Sequence, residues 1–548
     1  MANESAATAT FTPPGHGQWN LDRSHYPGGA TPIAQWLIEQ TMEAGMRRVF
    51  AELGTPADAM RARFVHGFMY TRLLPLLGPE KAPRPLPPKP ILKLAANLHP
   101  AFRRRARTAA ATMRDRPWVT ITERWDKELR PEIVDSNRRF QAVVLDSLSD
   151  TELDQHVSDL LDHCVLNHER HFWLHGYDLG PLANYLWRVI RWGGTPEDAL
   201  SALAGASPST SAPVRRLARL RAELDRQKVR PNSLDDVRAA SPVAAQLLDE
   251  HLAEHGDHLV TSYDLDGFTL RELPATILAS VKEAKVRPEP DHAAVAATLR
   301  SRVPADEQAT FDELLADARL VMDLRDDNGP NTIEWPLGLL RLALLEAGRR
   351  LHHKSFVHER THTLLATASE ARTLCTSGGP GADVLAERAR AREVTRRLDP
   401  PITLGPAEPT PPLDVLPAPL PDMVAMVQTA VTHLGMDGTV HADPFVGAGI
   451  GSETYVGRVR RAASAEEAIM TLEPGDVLVV RATSPAFNSV LSIAGAVITA
   501  DGGVLSHAAV LARELGIAAV VGARGALDLP DGSLVEVNPL TGRVRVIS

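Results

Sequence analysis

Asp501-Gly-Gly-Val-Leu-Ser-His507-Ala-Ala-Val-Leu-Ala-Arg513-Glu514-Leu-Gly516-Ile-Ala-Ala-Val-Val-Gly522 is the stretch on which the reading of this chain turns. The apolar run Ala494 to Thr499 predicts a strand that feeds into the double glycine. Ser506 and His507 then open a helix whose Ala/Leu/Val face continues to Leu515, and Gly516 takes the usual C′ position. Two adjacent glycines let the backbone approach a ligand closely, and Ser506 is placed to cap the first free amides. A histidine at such a helix mouth suits nucleophilic attack on phosphorus, because the phosphoryl group it then carries meets N–H donors and the positive end of the dipole. The plainer alternative is a helix-start histidine bonded to the backbone.

The whole run resembles the phosphohistidine swivelling domain of the phosphoenolpyruvate-utilising enzymes. Gly502, Gly503, Ser506, His507, Ala508, Ala509, Ala512, Arg513, Glu514, Gly516, Ile517, Val520, Val521 and Gly522 fall on that family's motif in register. Leu505 stands where the synthase branch has Thr, and Ala518 where Pro is common. The Leu-Ser-His variant resembles the rifampin phosphotransferase-like branch. The resemblance implies that His507 carries the phosphoryl group and that Gly502, Gly503, Ser506 and Arg513 form its binding loop, together with Thr483 of the strand-end turn Thr483-Ser484-Pro485.

At 548 residues the chain predicts two to four domains. A hydrophobic content of 44% suits a soluble protein, and a net charge of −9 argues against nucleic acid or an anionic membrane as partner. The two cysteines, Cys164 and Cys375, lie in separate helical segments and imply neither a disulfide framework nor a CxxC metal site. There is no basic-then-apolar leader after Met1 and no long uncharged apolar window, so the expectation is a cytoplasmic protein that neither spans a membrane nor is secreted.

Residues 11–32 are dense in Pro and Gly and predict an irregular segment anchored by Trp19 and Tyr26. Helical periodicity starts at Ile33. The series from Pro14 through His25 to Val65-His-Gly67-Phe-Met-Tyr70 is similar to the start of the substrate-binding region of rifampin phosphotransferase-like proteins. After a proline-rich break, Pro79 to Pro90, amphipathic helices are predicted at Leu148 to His175, Leu182 to Trp192, Val243 to His255, Pro274 to Lys285 and Phe311 to Leu324. Strand-like alternation is scarce across this region. The fold class expected is multidomain: a large, mostly α-helical substrate-binding domain (1–398), a Pro-rich linker (399–422), and a small C-terminal α/β (β/β/α) swivelling domain (423–548).

His251 to His258, followed by Tyr263-Asp-Leu and Arg271, resembles a further passage of the family, with His255, Asp257 and His258 standing where it has Tyr, His and Arg. Arg325-Asp-Asp-Asn and Leu339 to Arg350, with Arg341, resemble its paired late helices. His258 and Arg341 are therefore pocket candidates. His168, His171 and His175 stand at i, i+3 and i+7 on one helix face, fit to line a polar pocket, to remain ordinary half-buried histidines, or to share a metal. A third ligand from one straight helix is awkward and no His-Glu-x-x-His pattern accompanies them, so no metal is expected. His352, His353, His358 and His362 share no face.

Nine prolines between Asp399 and Asp422 exclude helix and central strand. In polyproline geometry this tether reaches on the order of 70 Å if undocked; the alternative is a strap bound along the helical domain. Beyond it, a helix from Met423 to Leu434 leads to strands at Tyr455 to Arg460, Val477 to Arg481, Ala496 to Thr499, Ala519 to Val521, Leu534 to Asn538 and Arg543 to Ile547. Helices at Ser464 to Thr471, Ser484 to Ser492 and His507 to Leu515 interleave with them.

The resemblance implies an ATP-dependent charging of His507, with the β-phosphoryl transferred and AMP and phosphate released. No ATP-grasp module is legible ahead of Phe11 and no pyruvate-binding barrel after the histidine domain. The expectation is an acceptor and carrier component that binds no cofactor itself, with ATP and Mg²⁺ handled by a separate ATP-grasp protein and a small molecule as acceptor. Two alternatives stay open: an enzyme in which phosphorylation activates a hydroxyl or carboxyl for dehydration or condensation, and a non-catalytic ligand-binding or regulatory homologue.

Overall fold

The computed structural model describes residues 9–22, 25–77, 86–284, 291–433, 443–463, 465–483, 487–491, 493–504 and 506–547. Its N-terminal part is built around the helix Asp150–Arg191, 42 residues long. Ser149 and Glu152 start it with a reciprocal capping box. The sequence pattern predicts two helices here, but the chain runs through Pro181 without a break. Proline removes one hydrogen bond, to the carbonyl of Tyr177, and packing of the flanking Leu182, Tyr185 and Leu186 holds the helix across that gap. The helix Pro32–Leu53, capped by Thr31, lies against it. Contact is close because Gly45 and Gly176 face the partner: a Cβ on Gly45 would sit 2.6 Å from the Glu169 carbonyl oxygen, and one on Gly176 2.2 Å from Val49.

The N-terminal part also holds a sheet that the sequence reading overlooked. Strands β1 (Trp19–Leu21), β2 (Ala57–Val65), β3 (Phe68–Pro75) and β4 (Thr403–Leu404) form an antiparallel sheet in the order β2-β3-β1-β4. The β2–β3 turn is His66-Gly67, both with positive φ (49° and 81°), as a tight two-residue hairpin needs.

β4 belongs to the proline-rich segment, which is laid down as a strap. Tyr70 donates to the Pro401 carbonyl at 2.9 Å, Glu408 pairs with the buried Arg72 at 2.7 Å, and Asn97 donates to the Val415 carbonyl at 3.2 Å. The helix Leu420–His433 continues it and packs Leu420, Met423, Met426 and Ala430 against Ala106, Ala109 and Ala183. That helix sits on the N-terminal part, not on the C-terminal sheet to which the sequence pattern joined it. The polyproline segment is therefore a wall in this structure, not a free tether.

The C-terminal part is a seven-stranded sheet of β5 (Ala448–Ile450), β6 (Tyr455–Arg461), β7 (Val477–Val480), β8 (Ala496–Thr499), β9 (Ala518–Val521), β10 (Leu534–Asn538) and β11 (Arg543–Val546), in the order β11-β10-β6-β7-β8-β9-β5. β6 to β9 are parallel; β5, β10 and β11 join antiparallel. Helices Ala465–Thr471, Asn488–Leu491 and His507–Leu515 make the crossovers. Alternate residues serve opposite faces. Leu478, Val480, Val497, Ala519 and Val521 meet the helices, while Val477, Val479, Ile498 and Val520 meet Leu529, Val535 and Val537. Each such fully buried side chain contributes about 1.5–3 kcal/mol, so both faces are strongly specified. The predicted positions Ser464, Ser484, Pro485, Ser492 and Leu505, the segment Pro79–Pro85, and Lys285 and Leu434 lie outside the described residues.

Helix Trp335–His353 is pressed onto the loop that carries His258: a Cβ at Gly338 would stand 1.8 Å from the Asp257 carbonyl oxygen. Gly338→Ala is expected to lower unfolding stability by about 1–3 kcal/mol, read as a lower urea midpoint at unchanged slope. An unchanged midpoint would show that this contact is not held.

Candidate functional site

His507 is the first residue of its helix, at the C-terminal ends of the parallel strands β7 and β8, where open α/β sheets place ligands. Ser506 is the N-cap, with extended backbone and its hydroxyl accepting from the Ala509 amide at 3.4 Å. Gly502 adopts φ +108°, a region closed to L side chains, and a Cβ there would crowd Ser506 at 3.0 Å. Ser506 N–H donates to the Gly503 carbonyl at 2.9 Å, closing the loop. Thr483, just beyond β7, lies 2.9 Å from Nδ1 of His507 through its hydroxyl. Burial lowers the imidazole to a pKa of about 4, so it is neutral at physiological pH.

The ring faces a cavity of about 1950 Å³ whose walls come from both halves of the chain. The histidine side supplies Thr483, Gly502, Ser506, His507, Val510 and Leu511. The opposite walls are largely apolar: Met42, Met46, Met60 and Met69, the strap prolines Pro409, Pro411 and Pro412, and Val424, Val427 and Val431. Methionine thioethers and proline rings present a deformable, dry surface suited to a bulky apolar molecule.

The residues singled out from sequence divide. His171 and His175 line the cavity, as does His258. His175 Nδ1 lies 3.1 Å from the buried Asp178 carboxylate, and its Nε2 lies 2.9 Å from Nε2 of His171. His258 stacks on Trp335, ring centroids 4.9 Å apart. His168 is different. Its Nδ1 turns back to the Cys164 carbonyl at 2.8 Å and the ring is buried away from the cavity, the local side-chain-to-backbone bond that a helix offers at i−4. Arg341 is also removed from the pocket set: it is buried in a two-pronged pair with Glu272, both bonds 2.9 Å, and donates to the Leu265 carbonyl. Among the described residues, no group of three or more His, Cys, Asp or Glu is arranged to hold a metal ion.

Arg513 does not point at the glycine loop's ligand face. Its Nε donates to both Glu197 oxygens at 3.0 and 3.1 Å, and its Nη1 holds the Val504 carbonyl at 2.6 Å. The guanidinium thus ties the histidine helix to helix Pro196–Ser201 of the N-terminal part. Glu514 accepts from the Gly205 amide beside it. Sequence reasoning misses this docking pair and Glu334 on the cavity wall, and gives Tyr26 only as an anchor and Tyr263 only as part of a family passage, although both line the cavity. An acidic residue inside the apolar run Ile333-Glu-Trp-Pro-Leu was the available signal for Glu334.

Residues 472–542 match the family described as PEP-utilising enzyme, mobile domain. The matched segment contains Thr483, the glycine loop and His507. The chain is 47% identical over 89 residues to a phosphoenolpyruvate synthase of Aeropyrum pernix, covering 16% of this chain and 11% of that protein. It is 37% identical over 103 residues to a rifampicin phosphotransferase of a Streptomyces species, covering 19% and 12%. A longer similarity, 28% over 339 residues, runs to the chondramide synthase of Chondromyces crocatus and covers 57% of this chain and 8% of that protein. This last match is too long for the C-terminal sheet alone and reaches into the helical part. The chain spans about a tenth of the length of the first curated relatives it matches. No helix among the described residues is long and apolar enough to cross a membrane.

The half-buried, neutral His507 carries a pH signature. Its folded pKa is about 4 against an ordinary 6.5, so between these values the unfolded chain binds the extra proton and stability falls as pH falls. Relative to His507→Gln, the wild-type protein is expected to lose thermal stability progressively from pH 6.5 to 4.5, with the two curves parallel above pH 7. Parallel curves throughout would show that the imidazole is solvated.

Proposed function

We propose that this chain is the acceptor and carrier component of an ATP-dependent, dikinase-type phosphotransferase, passing a phosphoryl group through His507 to a small, largely apolar molecule in the cavity. The observation that carries the reading is a neutral imidazole, capped by a glycine loop and helix N-terminus, facing a cavity with walls from both halves. The reading assigns the phosphorus to the imidazole ring of His507, whose Nδ1 lies 2.9 Å from the Thr483 hydroxyl. In the charging step a ring nitrogen of His507 forms a bond to the β-phosphorus as the bond to AMP breaks, and hydrolysis of the bond to the γ-phosphate releases phosphate. An ATP-grasp protein with Mg²⁺ supplies that phosphoryl group, and this chain is assigned no nucleotide site of its own. In the delivery step an acceptor hydroxyl oxygen attacks phosphorus, the N–P bond breaks with its electron pair returning to the imidazole, and the hydroxyl proton is released to solvent. The helix amides and the hydroxyls of Ser506 and Thr483 are the donors nearest the transferring group. Apolar walls keep water from competing.

A second reading has the phosphate serve as a leaving group in a later dehydration or condensation on the same molecule. What favours it is the 339-residue similarity to a protein named a synthase, which is too long to lie in the histidine part alone.

With an ATP-grasp partner and ATP labelled at the β-phosphate, the wild-type chain is expected to take up acid-labile label and His507→Ala none. No label with any donor would leave the ligand-binding alternative standing. Product mass separates a stable phosphate ester from a dehydrated or condensed compound. Glu197→Gln removes the charge that faces Arg513 and leaves the loop's own residues unchanged. It is expected to leave charging unchanged and to slow delivery by about tenfold, the effect of losing roughly 1–2 kcal/mol of docking energy. Equal loss in both steps would mean that the pair does not act in docking.

A further inference from the structure

Phosphoryl delivery from His507 makes no use of the carboxyl group of Glu334. This residue closes the π-turn Pro330–Glu334 ahead of helix Trp335–His353, is 4% exposed, and lines the cavity. Among the described residues its carboxyl has neither a hydrogen bond nor an ion pair, although a buried acid without a partner is costly. Burial alone pushes it up to about 8.

The surroundings are acidic and aromatic. Burial, and after it the Glu334 charge, raises the Tyr263 phenol; burial, and after it Asp264 and Asp22, raises that of Tyr26 beside it. Both tyrosines line the cavity. His25 lies 2.8 Å from the Asp22 carboxylate; of the arginines that also line the cavity, Arg72 pairs with Glu408, Arg130 with Asp323 and Asp327, and Arg138 with Asp135, while burial keeps His171 and His258 well below the ordinary imidazole range. On a cavity wall with an unpaired carboxyl, phenol rings and compensated cations, a positive charge brought by a ligand meets a carboxyl that no other group shares.

We infer that Glu334 and Tyr263 form a subsite for a basic nitrogen, so that the molecule taken by the cavity is an apolar amine whose ammonium sits on the Glu334 carboxylate. The inference deepens the acceptor-pocket reading and rests on that cavity being the acceptor site, but its test needs no phosphoryl donor. An ammonium arriving at neutral pH ionises Glu334, so binding releases a proton to solvent; a hydroxyl in the same place releases none.

The test is calorimetric titration of the full chain with 4-phenylbutylamine and its neutral isostere 4-phenylbutan-1-ol at pH 7, in two buffers of different ionisation enthalpy. The amine is expected to bind at least about tenfold more tightly than the alcohol and to release close to one proton per molecule bound. Glu334→Gln is expected to abolish both the preference and the proton release while still binding the alcohol as the wild type does, which shows that the cavity is intact. His507→Ala is expected to keep the full amine preference although it accepts no phosphoryl label, so failure of the subsite and failure of the carrier reading are told apart. Equal affinities for amine and alcohol, absence of amine binding, or a preference that survives in Glu334→Gln would each overturn the assignment.

Discussion

The rest of the structure depends on how the helix His507–Leu515 is buried on two sides at once. Its small residues Ala508, Ala509 and Ala512 and its Leu511 and Leu515 share one apolar cluster with strand residues Val497 and Ala519 and with Leu182, Leu186 and Leu203 of the N-terminal part. Alanines let the helix axis come close to both neighbours, so the histidine at its mouth is carried to the cavity by the packing of its own helix. Apolar burial supplies most of the attraction, because a half-buried pair such as Arg513–Glu197 loses in desolvation much of what it gains in charge attraction. What the pair contributes is orientation. It admits one rotation of the helix and holds the Val504 carbonyl of the glycine loop at the same time.

The strap shows how composition and context part company. Proline removes amide donors, so a proline-rich chain needs few hydrogen bonds and crosses an apolar surface at small cost. The same property makes it a plausible free tether and a good wall. Here Glu408 on the buried Arg72 and the Tyr70 bond to the Pro401 carbonyl decide for the wall, and Pro409, Pro411 and Pro412 then become lining of the cavity. The helix Leu420–His433 is also seated on the N-terminal part.

Much of the C-terminal sheet was legible because its strands are short continuous apolar runs between Gly, Asp and Pro turns. β8, β10 and the helix His507–Leu515 fall on their expected residues. β5 was not legible: three residues, Ala448-Gly-Ile, carry no periodicity and form a strand only because β9 offers an open edge. The N-terminal sheet was missed for a related reason. Arginines at 61, 63 and 72 interrupt its apolar alternation, and the deciding element is the left-handed pair His66-Gly67. On the site, helix pitch put His168, His171 and His175 on one face; His171 and His175 line the cavity, but pitch could not tell that His168 would fold back onto its own backbone. Arg513 illustrates the limit of a motif. Its position was readable, while its partner lies 316 residues away and is set by docking.

One physical effect acts with opposite sign on the two groups that face each other's cavity. Desolvation disfavours charge, so it drives the imidazole of His507 down to about 4 and the carboxyl of Glu334 up to about 8. At neutral pH the base is thus unprotonated and the acid protonated, and a wall that contains both presents no net charge from either. An apolar molecule enters such a cavity without having to displace tightly held water. The dielectric that keeps both groups neutral when the cavity is empty also makes any charge brought into it strongly felt, which is the condition under which a nucleophilic nitrogen and an unpaired carboxyl discriminate between ligands.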